Sequence, residues 1–172
     1  FKDNLYPILI DEEGGHVSRL RNFIESSNLT ASYFGNLYKK NKKKFNHYYK
    51  IYIDQISYLL NILGLNINTV PVLDLKRFKT SSIIGDRSYS RNSKIVSKIG
   101  DICISSFHKN NIACVIKHIP GHGITNIDSH KRLPVINKST DYLFKNDFFP
   151  FKKTKSLFAM TAHIIFKKQD PL

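Results

Sequence analysis

The segment Lys117-His118-Ile119-Pro120-Gly121-His122-Gly123-Ile124-Thr125-Asn126-Ile127-Asp128-Ser129-His130 carries the densest set of reactive side chains in the chain. His118 and His122 stand four residues apart. That is the spacing of the helical zinc motif, which needs two histidines on one helix face with a glutamate between them. Here Pro120 and Gly121 lie between the histidines, and neither belongs in a helix interior. The spacing therefore predicts no metal site. Asp128 and His130 offer a different chemistry. A carboxylate two residues from an imidazole can hydrogen-bond the ring, fix its tautomer and favour its protonated form. Such a pair can give up a proton and then act as a base. A chance Asp and His on a surface loop is the bland alternative. The Gly, Pro and basic residues around the pair, at a strand end, favour the chemical reading.

These residues need elements to hold them. Tyr6 to Ile10 is a short apolar run ending in Asp11-Glu12-Glu13-Gly14-Gly15, the pattern of a buried strand followed by a tight loop. A long amphipathic segment spans about Tyr33 to Leu63, with Phe45, Tyr48, Tyr52, Ile56, Leu59 and Leu63 at helical spacing and Gly64 as the stop. Ile67 to Leu73 reads as a second strand, ending in Asp74. Asn92 or Ser93 can cap a helix whose apolar positions are Ile95, Val96, Ile99, Cys103 and Phe107. Ile112 to Ile116 is a third strand running into Lys117-His118, and Leu157 to Ile165 a fourth, containing Thr161 and His163. Between them, Ser139 or Thr140 caps a short helix, and Pro150 interrupts it or starts another.

Strands alternating with helices predict βα units and a parallel sheet. Asp11, Asp74, Lys117 with His118, and His163 all fall where a strand ends. In parallel α/β architectures the site lies at those carboxyl ends. Lys117 at such a place needs a partner, because burying a lysine is costly unless it is paired. A carboxylate such as Asp11 would serve. The bland readings are a turn-capping Asp11, structural ion pairs for Arg19 and Arg87, and a core position for His163.

Composition bounds the function classes. The 172 residues carry 27 Lys+Arg against 13 Asp+Glu, a formal charge of +14. The densest basic run, Lys39, Lys40, Lys42, Lys43 and Lys44, reads as a solvated helix face. No nucleic-acid-binding signature accompanies it, which weighs against a nucleic-acid partner. No stretch approaches the roughly 20 apolar residues of a membrane helix, so no membrane partner is expected. Two cysteines, Cys103 and Cys114, make neither a disulfide framework nor a four-ligand zinc site, and a reducing compartment is the easier reading.

Five blocks occur in order: Asp11 to Arg19, Pro71-Val72-Leu73-Asp74, Gly85-Asp86-Arg87-Ser88-Tyr89, Lys117 to Gly123 with Asp128-Ser129-His130, and Met160-Thr161-Ala162-His163. Together they resemble the β-N-acetylglucosaminidases of glycoside hydrolase family 3, bacterial enzymes that recycle cell-wall fragments. The resemblance covers nearly the whole chain. It implies an α/β fold, a partial (β/α)₈ TIM barrel with about half of its units present. Residues 1–172 would be a single incomplete catalytic domain of the family's N-terminal type. It also implies a cytoplasmic, retaining enzyme that needs no cofactor. The substrate class is small N-acetylglucosaminyl-anhydromuropeptides, from which terminal N-acetylglucosamine is released.

By resemblance, Asp11, Arg19, Arg87, Lys117 and His118 line the sugar subsite. His130 is the acid/base, oriented by Asp128. This departs from the usual two-carboxylate retaining pair, and an imidazole with an ordinary pKa near 6.5 suits the exchange. His16 stands where the family commonly has Arg and is read as non-catalytic. The family's nucleophilic Asp follows the Met-Thr-Ala-His block on a later strand, and no residue here matches it. A chain of about half the strands that a barrel of typically about 250 residues needs would leave unpaired sheet edges. Two expectations follow. One is a glycosidase read from its substrate-binding and acid/base half, with phosphorolysis as a variant. The other is an inactive remnant that at most binds carbohydrate.

Overall fold

The computed structural model describes residues 6–77, 83–125, 127–128 and 131–170. Four strands form one parallel sheet in the order β1 (Leu9–Ile10), β2 (Ile67–Asn68), β3 (Ala113–Ile119), β5 (Phe158–Thr161). Helices α1 (Ala31–Lys40) and α2 (Lys42–Ile62) cross from β1 to β2. Helix α3 (Ser93–Lys109) crosses from β2 to β3, and α4 (Thr140–Lys145) with α5 (Phe149–Lys153) from β3 to β5. This is the expected α/β architecture of part of a (β/α)₈ barrel. No helix among the described residues is long and apolar enough to cross a membrane.

The segment read as one long helix is two. Asn41 is extended (φ −157°, ψ 97°), and its side chain accepts the Lys44 N–H to cap α2. An asparagine that satisfies an orphan N–H makes a break cheap inside a lysine run with little packing of its own. Within α2 the buried face also differs from the one read. Phe45, Tyr52 and Ile56 are buried as expected, but Tyr49, Ile53 and Leu60 join them, while Tyr48 and Leu63 are exposed. The other two main caps are as read: Asn92 starts α3, and Ser139 starts α4. Pro150 sits in the first turn of α5, where its missing N–H costs nothing.

The run read as a fourth strand also divides. Residues 158–161 join the main sheet, whereas β6 (Ile165–Phe166) pairs with β4 (Val135–Ile136) in a separate two-stranded sheet. His163 lies between the two pieces and is exposed, not in the core. The principal core packs α1, α2 and α3 against the sheet through Phe34, Phe45, Ile53, Ile56, Ile99 and Phe107. Neither β1 nor β5 has an outer strand neighbour among the described residues. Leu9 (58% exposed) and Phe158 (46% exposed) stand on those two edges.

Gly35 shows how tightly the helical layer meets the loops. A Cβ built there would lie 1.7 Å from the Tyr89 carbonyl oxygen, so only glycine lets α1 reach the segment that carries Arg87. Gly35→Ala is expected to destabilise the chain at or beyond the upper end of the ~1–3 kcal/mol typical of overpacking. Urea unfolding followed by circular dichroism checks this, and an unchanged midpoint would contradict the close approach.

Candidate active site

The strand ends bring four charged groups together. The Lys117 ammonium, on β3, has only 2% of its side chain exposed. It donates to Asp11 Oδ1 (2.9 Å) and Thr69 Oγ1 (2.8 Å) and pairs with Glu13 Oε1 (2.6 Å). Three acceptors match its three N–H groups. Thr69, just past β2, donates a hydroxyl hydrogen bond to the same Asp11 oxygen. Glu13 also receives a two-pronged contact from Arg87: Nε to Oε2 and Nη2 to Oε1, both 2.8 Å. Arg87 Nη1 also donates to the Ile83 carbonyl (3.1 Å). Such fork-to-fork pairing fixes the guanidinium plane as well as its charge.

A second carboxylate organises the histidine segment. Asp74 is fully buried; its Oδ2 lies 2.6 Å from His118 Nδ1 and accepts the His118 N–H at 3.3 Å. Its Oδ1 accepts the His122 N–H at 2.6 Å. The acceptor at Nδ1 assigns the proton to that nitrogen and leaves Nε2 for a ligand. Opposite β5, Lys117 faces Met160 and Ile119 faces Thr161, so His118 is the extra residue of a β-bulge. Bulges re-aim a side chain next to sites. His118, Arg87, His122, Asp128, Met160 and His163 line a cavity of about 230 Å³.

The residues read from sequence are thus partly assembled. Asp11, Arg87, Lys117 and His118 are held by one connected set of contacts or by the wall of one cavity. Asp128 lines that cavity too. Arg19 is exposed on the loop after β1. Buried Glu12 holds that loop by accepting the Arg19 and Leu20 N–H groups (2.7 and 2.9 Å) and the Ser18 hydroxyl (3.0 Å). His130, with its neighbour Ser129, lies outside the described residues. His16 pairs with Asp86 at 3.4 Å on the surface. The described residues contain no group of three or more His, Cys, Asp or Glu placed to hold a metal.

Three organising residues escaped the sequence reading: Glu13, Thr69 and the partner role of Asp74. Charge counting could have found the first. Two buried cations, Lys117 and Arg87, need two carboxylates, and Glu13 stands two residues from Asp11. Nothing in the sequence singles out Thr69.

The electrostatics follow from these contacts. Burial pushes the Glu13 carboxyl up, but the Arg87 hydrogen bonds and the Lys117 and Arg87 charges outweigh it and hold Glu13 below its ordinary 4.5. Partial burial likewise works against Asp11, yet Thr69, Lys117 and the nearby Arg19 charge leave it below 3.8. Burial lowers His122, and Asp74 offsets only part of that. Asp147 moves the other way: burial raises it despite Arg77 at 2.5 Å.

Parallel strands thus lead into a connected set of ion-paired side chains beside a cavity. The chain belongs to glycosyl hydrolase family 3, whose N-terminal domain matches residues 7–172. It is 32% identical to β-hexosaminidase A of Pseudoalteromonas piscicida, over 95% of this chain and 27% of that protein. With the β-hexosaminidase of Thioalkalivibrio sulfidiphilus it shares 31% identity, over 96% of this chain and 48% of that one. The fold superposes on native NagZ from Neisseria gonorrhoeae with a TM-score of 0.83 at 28% identity, covering 95% of this chain and 48% of that structure. A NagZ structure from the same organism in complex with N-trifluoroacetyl-D-glucosamine gives 0.81 at 28% identity, covering 95% and 49%. The chain therefore spans half or less of the length of these relatives.

Two outcomes follow for the ion-pair cluster. Glu13→Gln leaves Lys117 and Arg87 short of a buried counter-charge, and a loss of about 3–5 kcal/mol is expected, measured by urea unfolding at neutral pH. The pH dependence has a definite sign. Glu13 and Asp11 bind protons more weakly folded than unfolded, so their contribution is complete above about pH 4.5 and is lost as pH falls through the lowered native values. Asp147, being raised, works in the opposite sense and offsets part of this. The share of stability that comes from Glu13 and Asp11 should be lost as pH falls below about 4.5, so acid destabilisation should be less steep in Glu13→Gln than in the wild type. Equal acid slopes in the two proteins would remove Glu13 from the account.

Proposed function

We propose that this chain is the sugar-binding and proton-donating part of a retaining β-N-acetylhexosaminidase, a single incomplete catalytic domain over residues 1–172. The substrate class is N-acetylglucosaminyl-anhydromuropeptides from peptidoglycan turnover, and the compartment is the cytoplasm. The observation that carries this reading is the Lys117–Asp11–Glu13–Arg87 cluster at the carboxyl ends of neighbouring strands. The printed names of the relatives support it, as does the glucosamine derivative bound by a similar NagZ fold. The compartment reading draws on two cysteines that are both free and buried.

In this reading Arg87 and His118 meet the sugar from one side of the cavity. Arg87 can do so because Glu13 already fixes its plane, which lowers the ordering cost of binding. Lys117 contributes by holding Asp11, whose side chain is 40% exposed and can accept from sugar hydroxyls. A direct Lys117 contact requires a hydroxyl to take one of its three present acceptors. His130, oriented by Asp128, gives its proton to the glycosidic oxygen as the C1–O bond breaks. A carboxylate nucleophile takes C1, and the neutral imidazole then removes a proton from the attacking water. The nucleophile is assigned to no residue of this chain.

A second reading has one observation in its favour, the coverage of only about half of most relatives: the chain binds carbohydrate and does not turn it over. Titration with N-acetylglucosamine, followed by ligand-observed NMR, tests the shared part of both. Saturable binding is expected, weakened about tenfold or more by Arg87→Ala, the loss of a charged hydrogen bond. No binding by the folded wild-type chain would refute both readings. Release of a chromophore from an aryl N-acetylglucosaminide separates them. If turnover occurs, His130→Ala should lower it on the order of 10²–10⁴-fold. Turnover at the rate of a complete enzyme would refute placing the nucleophile outside this chain.

A further inference from the structure

The geometry points to Arg77 and Asp147 as positioning residues: their ion pair closes a slot that grips the loop after β3 at His122, and so sets one wall of the sugar cavity. Its consequence for binding rests on the sugar-site reading above. Its mechanism rests only on how residues 74–77, 121–123 and 147 pack.

Two glycines show where the loop is gripped. A Cβ built on Gly123 would lie 2.2 Å from the Leu75 carbonyl oxygen, and one built on Gly121 would lie 3.0 Å from both the Cβ and the carbonyl oxygen of Asp147. His122, between these glycines, is buried, and its N–H donates to Asp74 Oδ1. The loop therefore runs between two walls. One is the segment after β2, at Asp74 and Leu75; the other is the connection between α4 and α5, at Asp147. Arg77 joins the walls. It stands three residues beyond Asp74, and its Nη2 donates to Asp147 Oδ2 at 2.5 Å. Its Nη1 donates to the Tyr142 hydroxyl on α4 at 3.2 Å, with the guanidinium 5.9 Å from the centre of that ring. Both contacts tie α4 and the connection after it to the segment after β2.

Asp147 is a costly side chain for this place. It is fully buried, and its Oδ1 has no hydrogen-bond partner among the described residues. A well-packed apolar pair of similar volume is often as stable as a buried ion pair. What the charges supply is register: a guanidinium on a carboxylate fixes the distance between the two walls, which apolar packing leaves free to slide. Small displacements of supporting groups are expensive at a site, because binding geometry is held within fractions of an ångström. His118 and His122, at the gripped end of the loop, line the cavity with Arg87 and Asp128.

Asp147→Asn, Arg77→Met and the double variant Arg77→Met/Asp147→Leu test this by amide deuterium exchange, urea unfolding and titration with N-acetylglucosamine. Each single change should speed exchange at residues 121–125 about tenfold or more and weaken sugar binding about three- to tenfold. Each should also lower global stability, because one buried charge loses its partner. The double variant leaves no such charge. Its urea midpoint should return towards the wild-type value while the loop still exchanges fast and the sugar still binds weakly. That split marks positioning, because a pair that serves stability alone would recover all three together. Recovery of all three overturns the proposal, and so does wild-type exchange at residues 121–125 in the single variants. Should a single variant fail to fold, the exchange of the double variant against the wild type decides. If the folded wild-type chain binds no N-acetylglucosamine, the sugar reading fails, and the exchange comparison still decides the grip.

Discussion

Lys117 holds an ammonium group where solvent barely reaches it, and the arrangement of the whole site answers that one constraint. Taking a charge out of water costs several kcal/mol unless counter-charges and hydrogen bonds replace the lost solvation. The replacement comes from Asp11 and Glu13 after β1 and Thr69 after β2. The three strand ends are thereby tied to one nitrogen. Glu13 carries the constraint outward to Arg87, on the 3₁₀ turn Gly85–Arg87. Arg87 and Asp11 thus depend on the same electrostatic balance that holds the strand ends together.

Asp74 does for the histidine segment what Glu13 does for the cations. One buried carboxylate takes a ring nitrogen and two backbone N–H groups from residues 118 and 122. The loop after β3 is rich in Gly and Pro and is turned by local hydrogen bonds such as Gly121 N–H to the His118 carbonyl and Thr125 N–H to the His122 carbonyl. It is also anchored from outside, by the Asp74 carboxylate in the segment that follows β2. The bulge at His118 completes the placement, turning that ring towards the cavity beside Arg87.

Much of the fold was legible because its signals are local. Asn92 and Ser139 announced their helices through cap chemistry. The apolar runs before Asp11, Asp74 and Lys117 marked three strands, although β2 stops at Asn68 and only Val72 of the run's remainder bridges to Lys117; the polar residues beyond these runs marked the end of the sheet that carries the ion-paired cluster. The failures share a cause. Asn41 divides a segment that reads as amphipathic throughout, and what the division achieves is how α1 then lies against α2 and Tyr89. The division of residues 157–165 between two sheets depends on Val135–Ile136, about thirty residues away. No local pattern contains that partner.

The sequence by itself determined the element types, the polar strand ends and the identity of the family blocks, because propensity, capping and spacing act over a few residues. Only the tertiary structure decided which carboxylate serves which cation. Glu12 and Glu13 are adjacent and identical in type, yet Glu12 caps a loop while Glu13 joins Lys117 and Arg87. The alternation of a chain leaving a strand sends neighbouring side chains to opposite sides, and which side holds the buried charge is fixed by residues 74 and 104 positions further along.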